Sequence, residues 1–335
     1  MVGRAWRPVG LPDRLTRARM AIAFEQIGQR LRAYRMGAGL SPEEVAERIG
    51  VSRAALYNYE KGGALKIETL ERIADLLGVS LPSLLGVGVE YFANAIGYFE
   101  RMRQIEAESD QVIAQFEPVS YLLTSPDYPA HLKQMLTEGV PENFTGRRAA
   151  LQQIDRLMAI LEARRRDAGK RQPHIISIVG ATQIQRFLRA GLIGTYDLSA
   201  AERDRRRQLA QAEIQRIAGL MDDEPMGVQI GVVEDTLPNQ TFQIFRQPNT
   251  TLVGISPFRL GELPNIRLGV ASITAADEAV ALYQKVADEL WRRAHKGARG
   301  AALLRDIIKQ AGLPARAMRL AASKTSTSLP REKLV

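Results

Sequence analysis

Between Ser41 and Glu60 the sequence leaves little conformational choice. Ser41-Pro-Glu-Glu44 combines an N-cap serine, a proline at the first helical position and a glutamate three residues after the cap. The serine and the glutamate can satisfy each other's orphan amides, which makes a strong helix start. Val45, Ala46 and Ile49 give this helix one apolar face, Gly50 suits a left-handed stop, and Ser52 caps a second helix from Arg53 to about Glu60. Two short helices are therefore joined by a three-residue turn. Ala46 is small enough to let them approach and Leu56 supplies an apolar plug between them, so the special positions of a packed helix-turn-helix agree.

The flanking residues extend this pair to five short helices between Phe24 and Gly86. Ile27, Leu31 and Tyr34 form one stripe ended by Gly37 and Gly39; Leu70, Ile73, Ala74 and Leu77 form another ended by Gly78; Ser80 opens a last turn through Leu85. Leu40 to Ala46 reads Leu-Ser-x-x-Glu-Val-Ala, Gly50 to Ser52 reads Gly-Val-Ser, Tyr59 to Gly62 reads Tyr-Glu-Lys-Gly, and Glu68 to Ala74 reads Glu-Thr-Leu-x-x-Ile-Ala. On these residues the segment resembles the phage repressor/Cro-like domains, also called the xenobiotic-response-element type. One departure is a loop after the third helix that lacks the family's frequent proline.

The resemblance implies an all-α, lambda-repressor-like domain that binds double-stranded DNA. Its docking geometry places the helix from Arg53 in the major groove while the preceding helix crosses the backbone. Arg53, Ala54, Tyr57 and Asn58 would then meet base edges. Arg53 can pair with guanine O6 and N7, Asn58 with adenine N6 and N7, and the Ala54 methyl can pack on a thymine methyl, while Tyr57 can reach a base or a phosphate. The amides at the Ser41 and Ser52 helix starts, and Lys61 beyond the recognition helix, are expected phosphate partners. Glu43 and Glu47 are either solvated or, as in some activators of this family, a contact for RNA polymerase.

Composition narrows the remaining classes. Lys and Arg number 46 against 37 Asp and Glu, and the first 35 residues carry eight Arg against Asp13 and Glu25. Arg4, Arg7, Arg14, Arg17 and Arg19 form an arm over 1–20 that either enters the minor groove or has no role. There is no Cys, and His131, His174 and His295 are far apart, so no thiolate nucleophile, Cys-ligated metal or recurring catalytic group is indicated. Gly86-Val-Gly88 lacks the rest of a dinucleotide fingerprint, and no Gly-Lys-Ser/Thr phosphate loop occurs. No catalysis, cofactor or metal is expected. The longest nearly apolar run, Ala74 to Val89, is interrupted by Asp75, Ser80, Pro82 and Ser83, so no membrane span is expected and a cytoplasmic location is.

Past residue 88, Tyr91, Tyr98, Ile105 and Val112 fall seven apart with Ala95, Met102, Ser109 and Phe116 between them. This predicts one connecting helix over 89–116 whose seam either pairs two copies or packs on its own chain. Further on, a helix is expected over Arg147 to Arg166, with Leu151, Ile154, Met158 and Leu161 inward. Strands are expected at His174 to Val179, Val228 to Val233, Thr241 to Arg246, Thr251 to Ser256 and Ile266 to Ile273. Helices follow at Ser199 to Met221, Thr274 to Trp291 and Ala301 to Ile308, and the polar tail over 321–335 has too little apolar surface to order. Phe116-Glu-Pro118, Tyr121 to Tyr128, the basic helix and the late strands closed by Ala279 to Ile308 are similar in order to the C-terminal domain of actinobacterial WhiJ-like regulators. That resemblance implies sensing of a small molecule or a small protein.

The expected chain is multidomain: an arm at 1–20, a helix-turn-helix domain at 21–88, a connecting helix at 89–116, a mixed α/β regulatory and dimerisation domain at 117–320, and the tail. Its expected function is sequence-specific transcription regulation. A single module covers only about 600–1,000 Å² of DNA, which argues for a homodimer on an inverted repeat with recognition helices about 34 Å apart. Tyr91, Ala95, Tyr98, Met102, Ile105, Val112 and Phe116 are one candidate interface and the α/β domain is the other. An enzyme with a fused DNA-binding module, or an autoregulating antitoxin-like adaptor, are the alternatives.

Overall fold

The computed structural model of the chain describes residues 24–235 and 237–312. The arginine arm over 1–20 and the tail over 321–335 lie outside the described residues. Five helices come first: α1 (Phe24–Gly37), α2 (Pro42–Ile49), α3 (Arg53–Glu60), α4 (Ile67–Leu77) and α5 (Leu81–Leu85). Gly50, which ends α2, sits at φ 70°, a left-handed value that costs a residue without Cβ little. Ile27, Leu31, Val45, Ile49, Leu56, Ile73 and Leu84 meet in the middle, all nearly inaccessible. At Gly28 a Cβ would lie 2.4 Å from the Tyr59 carbonyl oxygen, so glycine is what lets α1 rest on the end of α3. Two arginines fix the helix ends: Arg35 grips Glu60 with Nε at 2.5 Å and Nη2 at 3.2 Å, and Arg72 Nη1 donates to the Ile49 carbonyl at 2.7 Å.

The single helix expected over 89–116 is not formed. The stretch is a strand, a helix and a strand: β1 (Val89–Phe92), α6 (Ala95–Ala107) and β2 (Gln111–Gln115). Asn94 starts α6 by accepting the Gly97 N–H at 3.1 Å, and beyond its end the Ser109 hydroxyl donates back to the Ile105 carbonyl at 2.7 Å. Ala95, Tyr98, Met102 and Ile105 are at most 2% exposed, and they share a core of the same chain with Val112 and Phe116. Tyr91, on β1, is exposed. The sevenfold seam is therefore mostly interior to one molecule and is not available to pair two. The α/β domain begins at Val89, not at residue 117, because β1 belongs to its sheet.

That sheet has eight strands in the order β1-β7-β6-β5-β2-β3-β4-β8, with β3 (His174–Gly180), β4 (Val228–Val233), β5 (Thr241–Arg246), β6 (Thr251–Ser256), β7 (Ala271–Thr274) and β8 (His295–Lys296). β2, β3 and β4 are parallel, while β5 to β7 form an antiparallel meander, in which β5 and β6 make the expected hairpin. The crossovers carry α7 (Tyr128–Glu138) and α8 (Arg147–Arg171), then α9 (Ala181–Ala190) and α10 (Ala200–Asp223). Both parallel connections step in one direction, so right-handed crossovers put their helices on one face. α6 and α12 (Gly297–Gly312) join them in the larger core, and α11 (Asp277–Arg293) covers a smaller core around Ile113, Ile178, Phe242 and Val253 on the other face. The strand expected over Ile266 to Ile273 forms only at its end. Before it, Asn265 Oδ1 accepts the Leu268 N–H at 3.1 Å and folds the backbone into a turn.

The helical domain is joined directly to this sheet. Gly37 and Gly97 let α1 and α6 approach closely: a Cβ on Gly97 would lie 3.2 Å from the Ala33 carbonyl oxygen. Tyr34 stacks on Phe92 with ring centres 4.8 Å apart, and Asn94 Nδ2 donates to the Gly37 carbonyl at 3.0 Å. At the centre of the joint the Glu90 carboxylate takes Arg30 Nε at 2.7 Å and Arg101 Nε at 2.8 Å, all three side chains being buried. Burial alone would raise the Glu90 carboxyl, but the two guanidiniums outweigh it and hold it below the ordinary carboxylate range.

Candidate nucleic-acid interface

α3 owes its exposure to a short, well-anchored sequence. Ser52 Oγ accepts the Ala55 N–H at 3.1 Å and fixes the first turn, while Leu56 is wholly buried and holds the opposite side. Arg53, Ala54, Tyr57 and Asn58 consequently lie together on the solvent face, as their spacing predicts. Tyr57 is 55% exposed, and the Lys61 ammonium sits 4.3 Å from its ring centre, which links the residue expected on phosphate to one expected in the groove.

Two of these side chains are engaged by neighbours that the linear sequence does not reveal. Arg53 Nε lies 2.7 Å from Glu43 on α2, in a pair with 75% and 51% of the side chains exposed. Asn58 lies over the turn after α3, where a Cβ on Gly63 would come within 2.2 Å of its Nδ2. Arg53 must leave its partner before it can bond a base edge. The Arg53–Glu43 pair is largely solvated and costs at most about 1 kcal/mol to open.

The helix starts differ in what they offer an anion. At α3, Ser52 occupies the Ala55 amide, and the Arg53 and Ala54 amides, in the first turn, have no acceptor within the helix. At α2 the expected amide donors are largely taken. Ser41 N–H donates to Glu44 Oε2 at 2.7 Å, Glu44 N–H donates to Ser41 Oγ at 3.2 Å, and Pro42 has no N–H. Those bonds from the Ser41 amide and hydroxyl keep the exposed Glu44 carboxyl below its ordinary range. Beside this end stands a residue that sequence reasoning missed: Arg156, on α8, whose Nη1 donates to the Gly39 carbonyl at 3.1 Å.

Several titratable groups elsewhere are paired within the chain. His295 pairs with Glu234 at 2.8 Å, and Arg164 binds Glu106 with both side chains buried. Among the described residues no cluster of three or more His, Asp or Glu could hold a metal ion. Among them, too, no helix is long and apolar enough to cross a membrane.

Five short helices, two of them a capped pair with an exposed polar face on the second, define a helix-turn-helix domain, here followed by a mixed α/β domain. Residues 31–84 match the helix-turn-helix family model, a span from the middle of α1 into α5. The chain thus carries the DNA-binding domain of a transcription regulator. A search of curated proteins finds no match to the chain.

Proposed function

We propose that the protein is a sequence-specific regulator of the phage repressor/Cro-like type, acting by binding and not by catalysis. Its α/β domain pairs two copies and, as the likeness to WhiJ-like regulators implies, senses a signal. The observation that carries this reading is the joint exposure of Arg53, Ala54, Tyr57 and Asn58 on a helix anchored from behind by Leu56. Arginine for guanine, asparagine for adenine and a methyl for thymine make a readout set suited to the major groove.

Pairing is argued from size, since one module contacts too little DNA to select one site in a genome. With most of the sevenfold seam buried, it falls to the surface of the α/β domain, and an inverted repeat is the expected operator. For the signal, a cleft of about 790 Å³ between α1, the turn joining β5 to β6 and the start of α11 has Arg30 and Arg101 in its lining. It supports an effector rich in hydrogen-bonding groups. The buried carboxylates Glu90, Glu106 and Glu213 are each held by an arginine or by Ser125, which supports a binding protein over an enzyme. A contact with RNA polymerase would fall to the exposed Glu47, since Glu43 faces Arg53.

Selection of bound duplexes from a random-sequence pool tests the reading. Enrichment of an inverted repeat is expected, and Arg53→Ala and Asn58→Ala should each relax preference at one position per half-site by about 1–3 kcal/mol. Wild-type preference retained by both variants at matched salt would overturn the assignment of α3.

A further inference from the structure

The helix before the recognition helix crosses the DNA backbone in this class of domain, so its N-terminus faces a phosphate. Helix starts usually meet a phosphate with free amides and the positive end of the dipole. At α2 the capping box takes the Ser41 and Glu44 amides and Pro42 contributes none, which leaves, of these first-turn amides, the Glu43 N–H. An anion placed there needs a cation.

α8 supplies one from the other domain. Arg156 reaches across 117 positions in sequence to the Gly39 carbonyl, two residues before the Ser41 cap, and its guanidinium is close enough to Glu44 to help hold that carboxyl low. Only Nη1 is engaged by Gly39, and a guanidinium presents five N–H donors. The side chain is exposed, and its chain neighbour Asp155 is held by Lys133 at 2.8 Å, so it does not neutralise Arg156. Among the described residues Arg156 forms no ion pair within 4.0 Å. The joint between α1 and α6 keeps the two domains in register, so this cation stays beside α2.

We infer that Arg156 binds a DNA phosphate at the α2 end of the interface, so that the duplex is gripped by both domains. The inference rests on the DNA-binding reading above. It makes the α/β domain part of the DNA-binding surface, and any signal that shifts α8 would then act on affinity directly.

The test is the salt dependence of full-length protein binding to a random-sequence duplex, for wild type, Arg156→Ala and Arg156→Lys. Measurable wild-type binding at low salt checks the underlying reading; the comparison of slopes checks the inference. One phosphate contact contributes about 0.9 to the slope of log affinity against log salt. Between 50 and 200 mM salt the wild type should therefore lose about 3.5-fold more affinity than Arg156→Ala. Arg156→Lys should keep the wild-type slope, because an ammonium also displaces a counterion. A wild-type slope in Arg156→Ala would overturn the inference even with affinity lowered, since a mere brace on Gly39 would behave in that way. So would a Lys variant that shows the Ala slope.

Discussion

Glu90→Gln should uncouple the helical domain from the sheet. The substitution keeps the shape of the side chain but removes the one negative charge between Arg30 and Arg101, whose side chains are 8% and 3% exposed. Burial, opposed by Glu90 and reinforced by the nearness of Arg101, already lowers the Arg30 pKa from its ordinary value, so the wild-type joint carries an incompletely balanced positive charge. Breaking a buried pair from one side typically costs about 3–5 kcal/mol, and here two cations lose their partner together. By contrast, Glu43→Gln at the solvated Arg53 pair should cost no more than about 1 kcal/mol. Urea unfolding followed by far-ultraviolet circular dichroism would measure both. The pH dependence gives a second check. The folded Glu90 carboxyl is depressed, so its contribution is fully present above the unfolded value near 4.5 and is lost as pH falls through the folded one. The gap between wild type and Glu90→Gln should therefore be full at pH 7 and close progressively below about pH 4.5. A loss at pH 7 no larger than that of Glu43→Gln, or a gap that widens on acidification, would refute the reasoning.

Gly28→Ala should destabilise by about 1–3 kcal/mol, because its Cβ would meet the Tyr59 and Glu60 carbonyl oxygens at 2.4 and 2.7 Å and push α3 outward. Urea unfolding would show the cost, and unchanged stability would mean that α1 yields freely. Lys61→Ala should weaken binding to all duplexes alike, leaving base preference intact, as a filter-binding comparison of matched and scrambled sites would reveal. At micromolar concentration the full chain should sediment as a dimer; a monomer that bound a single half-site with full affinity would sink the pairing model.

The helical domain was legible because its instructions are local. Each boundary at Ser41, Gly50, Ser52 and Gly78 is set by a side chain or glycine within four residues of the backbone group it serves. The stretch from Tyr91 to Phe116 misled for the complementary reason. Its apolar spacing suits a long helix, but pairing of β1 with Ala271–Thr274 and of β2 with both β3 and β5 is non-local and overrides that preference. Asn94, an N-cap residue in the middle of the supposed helix, was the available signal for a later start. At the candidate DNA interface the exposed face of α3 followed from spacing alone. The Glu43 partner of Arg53 and the placement of Arg156 beside Gly39 depend on packing between separate elements, for which the chain carries no periodic mark.

The two edges of the sheet are protected by different means. β8 is only two residues long, which gives an intruding strand little to pair with. β1 is longer, and there the helical domain lies alongside: the Ser83 hydroxyl donates to the Val89 carbonyl at 3.1 Å and Tyr34 covers Phe92. The N-terminal helices thus shield one edge of the second domain's sheet. A fragment cut at residue 88 to obtain the sheet alone would bare a β1 edge with Phe92 uncovered, a template for edge-to-edge aggregation. Ligand searches on the α/β domain therefore belong on the intact chain.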